Sequence, residues 1–190
     1  DCLVVGGGLP AGYTHPRTPE GDIVNEFGMV MRQGPLYMEV VAAPLADVTS
    51  AAEVEAFDFP DPDAPGRFAD AEAQVAAYRN DYFIIGDLEL TIFEMAWHMV
   101  GMEKFMVDLA MGEAYVPALL DRVKAFTIGV GTALTALGVD AIWMGDDFGT
   151  QTGLMISPRM WRRIFKPRYR EIIEALRSVN PEVIVAFHSD

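Results

Sequence analysis

Ala141-Ile142-Trp143-Met144-Gly145-Asp146-Asp147-Phe148-Gly149-Thr150-Gln151-Thr152-Gly153 is the stretch on which the fold turns. Its first residues form an apolar run short enough for a buried strand, and they empty into adjacent carboxylates and a glycine-rich polar turn. Ser157-Pro158 then opens a helix. A serine hydroxyl can accept a bond from an otherwise unpaired amide of the first turn, and proline has no amide there to lose. A strand that carries polar groups at its C-terminal end and feeds a helix is the repeat unit of an α/β barrel. The same layout recurs at 182–187, an apolar run that empties into His188-Ser189-Asp190.

Working outward, Val116, Leu119, Leu120, Val123, Phe126, Val130, Leu134 and Leu137 keep helical spacing. They predict a long amphipathic helix stopped at Gly138. Upstream, 69–78 reads as a helix and 82–86 as a strand ending at Asp87 and Glu89, while 91–100 and 102–111 read as short helices parted by Gly101. Downstream, Met160, Trp161, Ile164, Phe165, Tyr169, Ile172, Ile173 and Leu176 form another stripe, with a kink expected at Pro167. Alternating strands and helices imply parallel strands joined by right-handed crossovers. The expected class is therefore α/β, a (β/α)8 TIM barrel. The 11 methionines fall mostly in these stripes and read as core packing, not as a soft-metal site.

Two segments depart from the repeat. Residues 22–41 are strand-like on either side of Arg32-Gln33-Gly34-Pro35, which predicts a hairpin. Residues 58–65 alternate aspartate and proline and read as a linker, because the prolines remove the flexibility a calcium loop needs. A complete barrel takes at least ~200 residues. The 190 residues here open in a strand-like run without a methionine and stop after a strand. The expectation is one partial barrel domain over 1–190, the first half to two-thirds of a barrel, with a hairpin insertion at about 22–41.

The bulk properties exclude several classes. A net charge of −14 argues against nucleic acid, whose phosphates need clustered lysine and arginine. Arg159, Arg162, Arg163, Lys166, Arg168 and Arg170 do cluster, but in one helix, as a solvated face does. The single cysteine, Cys2, permits no internal disulfide and suits a reducing compartment. No apolar run approaches the ~18 residues of a membrane span, and no signal-peptide pattern is present. A soluble, cytoplasmic chain is expected. Gly6-Gly7-Gly8 and Ala11 match the spacing of a dinucleotide fingerprint, yet Pro16, Pro19 and Gly21 forbid the helix that fingerprint requires. They read as an ordinary loop after a first strand.

The candidate site lies at the strand ends. Side chains alternate along a strand, so only one of Asp146 and Asp147 can easily face the mouth of a barrel. The other would cap the next helix or shape a turn. Gln151 offers a donor and an acceptor nearby, and Asp87 ends another predicted strand. His188 follows the buried run Ile184-Val185-Ala186-Phe187, where a ligand or a general acid/base belongs. Asp190, two residues on, projects to the same side of an extended segment and suits joint coordination of zinc with His188. His98, within a helix, and His15, in a proline-rich loop, read as structural.

These residues resemble the uroporphyrinogen decarboxylase superfamily. The resemblance rests on Gly145 to Gly153, Ile156-Ser157-Pro158, Trp161 and Phe165-Lys166-Pro167-Arg168, with Pro44-Leu45-Ala46-Asp47, Gly101-Met102-Glu103-Lys104-Phe105 and the closing His188-Ser189-Asp190. It implies a (β/α)8 barrel and an enzyme. Its members include the cofactor-free decarboxylase of haem synthesis and zinc methyltransferases that move a methyl group between a corrinoid and a thiol. Against the decarboxylases, Gly6 to Gly8 stand where an essential aspartate is expected, and Trp97 replaces a tyrosine. Against the zinc methyltransferases, Asp190 stands in place of the cysteine of His-x-Cys.

The resemblance implies metal-assisted methyl transfer, with catalytic Asp147 and His188, zinc on His188 and Asp190, and substrate held by Asp146, Gln151 and Asp87. A corrinoid would be the substrate or ride on a partner protein. The alternatives are decarboxylation of uroporphyrinogen III, with Asp147 bonding pyrrole N–H groups, and a non-catalytic corrinoid-binding subunit.

Overall fold

The computed structural model describes residues 1–190. Its first part runs β1 (Cys2–Gly6), β2 (Ile23–Val24), β3 (Val30–Gln33), β4 (Met38–Ala42), α1 (Ala51–Ala56) and α2 (Ala69–Tyr78). Then follow β5 (Phe83–Leu88), α3 (Phe93–Val100), α4 (Met102–Met111) and α5 (Tyr115–Ala136). The chain ends with β6 (Ala141–Gly145), β7 (Gly149–Thr150), β8 (Gly153–Leu154), α6 (Pro158–Val179) and β9 (Ile184–His188).

Four strands, in the order β1-β5-β6-β9, form a parallel sheet. Every crossover between neighbours carries at least one helix, as parallel strands require. This is half the strand complement of an eight-stranded barrel, so the fold is an incomplete (β/α)8 barrel. Alternation along the strands divides the sheet into two faces. Ile84, Leu88, Ile142 and Met144 point to the helix side and are buried. Val4, Trp143 and Ile184 point to the inner side and are exposed. The register sets Gly6 beside Asp87, Asp87 beside Trp143, and Gly145 beside His188, which brings the polar strand ends to one rim.

The helix layer packs closely because glycine lets it. A Cβ on Gly131 of α5 would come within 2.8 Å of both Leu88 of β5 and Leu176 of α6. α6 begins as its sequence predicts, with Ser157 Oγ accepting the Met160 amide at 3.2 Å and Pro158 in the first turn. It continues through Pro167 to Val179.

The segment before the barrel repeat differs from the hairpin expected. Asn25 Oδ1 accepts the amides of Phe27 (3.1 Å) and Met29 (3.0 Å), a side-chain-stabilised turn that ends one strand and starts the next. The result is a three-stranded antiparallel sheet, β2-β3-β4, whose β3–β4 turn falls at 34–37, later than the sequence suggests. α1, which the pattern does not reveal, is held by a capping box between Ser50 and Glu53. β5 runs on to Leu88, so Asp87 lies within the strand and not after it.

Arg67 ties this region to the barrel. Its buried guanidinium bonds both oxygens of Glu26 (2.9 and 2.7 Å) and the carbonyls of Gly8 and Asp61. No helix is long and apolar enough to cross a membrane.

Candidate metal centre

The end of β6 is first fastened to the end of β5. The Thr91 amide donates to the Gly145 carbonyl (3.0 Å), and the buried Thr91 hydroxyl accepts the Gly145 amide (3.1 Å). Beyond this stitch the chain turns, and Asp146 and Asp147 part company.

Asp146 is sealed from solvent. Its carboxylate accepts the amides of Ile92 (2.7 Å) and Glu94 (2.8 Å) and the hydroxyl of Tyr169 from α6. Those amides are unpaired donors at the start of α3, which has no side-chain cap of its own. Burial pushes the Asp146 carboxyl up, opposed by the Tyr169 and amide bonds, and burial with the nearby Asp146 charge pushes the Tyr169 hydroxyl up. The sequence reading that set Asp146 against a substrate is therefore corrected. Its lone pairs are spent inside the protein, as a cap donated across space to a helix earlier in the chain.

Asp147 takes the open side. Its Oδ1 accepts the Asp190 amide at 3.3 Å and stands 3.6 Å from His188 Nε2, which in turn lies 4.0 Å from Asp190 Oδ1. One ligand atom from each of the three residues falls within 4.8 Å of the other two. Tetrahedral zinc with bonds of about 2.0–2.2 Å sets its donors roughly 3.3–3.6 Å apart. The Asp147–His188 pair has that spacing at 3.6 Å, whereas Asp190, the most exposed of the three, stands 4.0 Å from His188 and would have to move inward to join. The donor types present, one imidazole and two carboxylates, are ones that zinc takes. The His188 ring lies nearly parallel to Trp143 on the inner face, with centroids 6.0 Å apart and planes at 19°.

One glycine makes room for this arrangement. A Cβ on Gly149 would collide with the Asp190 carbonyl oxygen, whereas one on Gly145 would make only an ordinary contact, 3.7 Å from His188 Cβ. The β7–β8 turn therefore presses directly on the backbone of a candidate ligand.

The remaining sequence candidates sit apart from the three. Gln151 is exposed in the β7–β8 turn and hydrogen-bonds to none of them. Asp87, on the inner face of β5, accepts the Glu89 amide at 3.1 Å. It lines a separate cavity of about 150 Å³ with Gly7, Glu26, Arg67, Glu89 and Thr127. His98 lies against Trp97 with centroids 3.7 Å apart and planes tilted by 33°, and burial pushes its imidazole down. His15 is exposed, its Nδ1 3.2 Å from the Val24 carbonyl.

Sequence reasoning missed Glu94, Thr91 and Tyr169. Glu94 lies in the first turn of α3, and its Oε2 accepts the Asp147 amide at 3.0 Å. Burial and the neighbouring carboxylates Asp146, Asp147 and Glu89 push its carboxyl up, against the pull of that amide. An acidic residue in a first helical turn is too ordinary a signal to announce a partner 53 residues away.

Residues 27–190 match the family Uroporphyrinogen decarboxylase (URO-D). That is most of the chain, which therefore belongs to the uroporphyrinogen decarboxylase family. Among solved structures, a methyltransferase from Methanosarcina mazei is similar, with a TM-score of 0.66 and 20% sequence identity over 88% of this chain and 48% of that one. At this identity the likeness concerns the fold, and the chain spans about half the length of that protein. No curated protein matches the chain.

Proposed function

We propose that this chain carries the metal-binding part of an enzyme site that transfers a methyl group between a corrinoid and a thiol. The observation that supports the reading most is the meeting of Asp147, His188 and Asp190 at the C-terminal strand ends. Asp147, His188 and Asp190 would hold a zinc ion, which when bound would supply Lewis acidity that lowers the pKa of a thiol. The chain's own residues do the rest. His188 presents Nε2 to both carboxylates, and the Asp190 amide fixes the lone pairs of Asp147 Oδ1. Gln151 and Asp87, although set apart from the three, would be the substrate contacts. The corrinoid would arrive free or on a partner protein. The lone exposed cysteine is in keeping with a cytoplasmic enzyme.

Decarboxylation of uroporphyrinogen III is the second reading, supported by the family itself. It meets an electrostatic obstacle at this half of the mouth. Asp87, Glu89, Asp147 and Asp190 would repel a polycarboxylate, and all the guanidinium donors of Arg67 are already engaged. A non-catalytic corrinoid-binding subunit is the third.

The deciding experiment is elemental analysis of the full-length protein, followed by a methylcorrinoid-to-thiol assay. Stoichiometric zinc that disappears with His188→Ala, together with loss of methyl transfer, supports the proposal. If zinc is absent and the substituted protein turns over normally, the metal role is wrong. Appearance of decarboxylated tetrapyrrole by mass spectrometry would move the function to the second reading. Tight corrinoid binding without turnover would move it to the third.

A further inference from the structure

After β6 the backbone must leave the sheet in a way that sends one aspartate inward and the next to the rim. Three consecutive amides are each given their own acceptor at this point. The Asp146 amide donates to the His188 carbonyl (3.2 Å), that of Asp147 to Glu94 Oε2 (3.0 Å), and that of Phe148 to Ser189 Oγ (3.3 Å). Two of these acceptors come from the end of β9, and the middle one comes from α3. The α3 bond is also reciprocated, because the Glu94 amide donates to Asp146 Oδ1 at 2.8 Å. Glu94 and the Asp146–Asp147 pair therefore form a closed latch: the Glu94 side chain takes the Asp147 amide, and the Asp146 side chain takes the Glu94 amide.

We infer that Glu94 is a positioning residue for the metal site, acting through the Asp147 backbone to aim the Asp147 carboxylate at His188. The inference rests on the metal reading above. Its second support is the geometry of the alternatives. Without an acceptor at this place, the Asp147 amide loses its α3 partner, and only the flanking bonds of the Asp146 and Phe148 amides then oppose a rotation of the 146–147 peptide that swings the Asp147 carboxylate away from Nε2. What the latch requires of residue 94 is an acceptor oxygen at the right reach, and glutamine also supplies one.

The test is zinc affinity of the full-length protein, measured by competition with a chromophoric chelator, with the visible spectrum of the cobalt(II)-loaded protein reporting ligand geometry. Glu94→Gln should bind zinc within about threefold of the parent. Glu94→Met, of similar size but without an oxygen, should lose about 10–100-fold, the usual range for residues that orient a metal ligand. Its cobalt spectrum should change as well. Parental affinity in folded Glu94→Met overturns the inference and leaves the metal reading standing. An equal loss in Glu94→Gln also overturns it, because the acceptor would then be beside the point. A parent protein that binds no zinc overturns the metal reading and this inference with it.

Discussion

Asp146 and Asp147 are adjacent in the chain but serve opposite sides of the strand end. Asp146 is buried against the amides of Ile92 and Glu94, and Asp147 Oδ1 faces His188 Nε2 at 3.6 Å across the open rim. Alternation of side chains along extended backbone makes such a division unavoidable. Each residue should therefore fail differently when changed.

Asp146→Ala removes the acceptor of two buried amides and the Tyr169 hydroxyl, and unsatisfied buried donors cost about 1–3 kcal/mol each. The expected loss is about 3 kcal/mol or more, read from urea denaturation. Asp147→Asn should change stability by only about 0.5 kcal/mol, as partly exposed positions usually do, while weakening zinc binding. A destabilised Asp147→Asn with intact zinc binding would reverse the assignment of the two residues.

Gly149→Ala places a methyl group against the Asp190 carbonyl, where 2.3 Å is available. The obstacle is backbone, so Asp190 must move. Zinc affinity should fall several-fold in a protein that still folds, and the same titration used for Glu94 checks it.

Arg67 and Glu26 form a pair in which the arginine side chain is 2% exposed and the glutamate 14%. Removing one member of a buried pair strands its partner and costs about 3–5 kcal/mol, whereas replacing both with apolar groups is often neutral. Arg67→Met should therefore be strongly destabilising by denaturant unfolding, and Arg67→Met with Glu26→Met should recover much of the loss. Equal stability of the single and double variants would show that Glu26 finds water once Arg67 is gone.

His98 gives a pH dependence with a defined sign. Burial holds its folded-state pKa below the ordinary value of 6.5, although its bond to the Glu94 backbone opposes the shift. The folded protein thus binds fewer protons than the unfolded chain between the lowered value and 6.5. The stability that His98 contributes is fully present above about 6.5 and is lost as pH falls through that window. Thermal melts of His98→Gln should show a smaller drop from pH 7 to pH 5 than the parent does. An unchanged drop would assign the acid sensitivity to other groups.

The barrel strands and long helices were legible because each repeats a local pattern. Ala141–Gly145 and Ile184–His188 are apolar runs of strand length, and the stripe within Tyr115–Ala136 repeats at helical spacing. Ser157 and Pro158 announced the start of α6 for the same reason, since this cap involves only residues of the helix's own first turn. The antiparallel segment was harder. Asn25 ends β2 through bonds made by its side chain, and apolar residues on both sides of Asn25-Glu26 let 23–31 pass for a single strand.

The sequence by itself determined the class of fold and the order of the barrel strands and long helices, because backbone periodicity and local caps depend on near neighbours. It also limited the aspartate pair to one rim-facing member. Tertiary structure alone decided which one, because the choice depends on the unpaired amides of α3 and the hydroxyl of Tyr169, all distant in sequence. The same holds for Glu94 on Asp147, Arg67 on Glu26, and Asp147 beside His188 and Asp190. Such partners are chosen by the register of parallel strands and by where helix ends fall against them, neither of which any short stretch of residues contains.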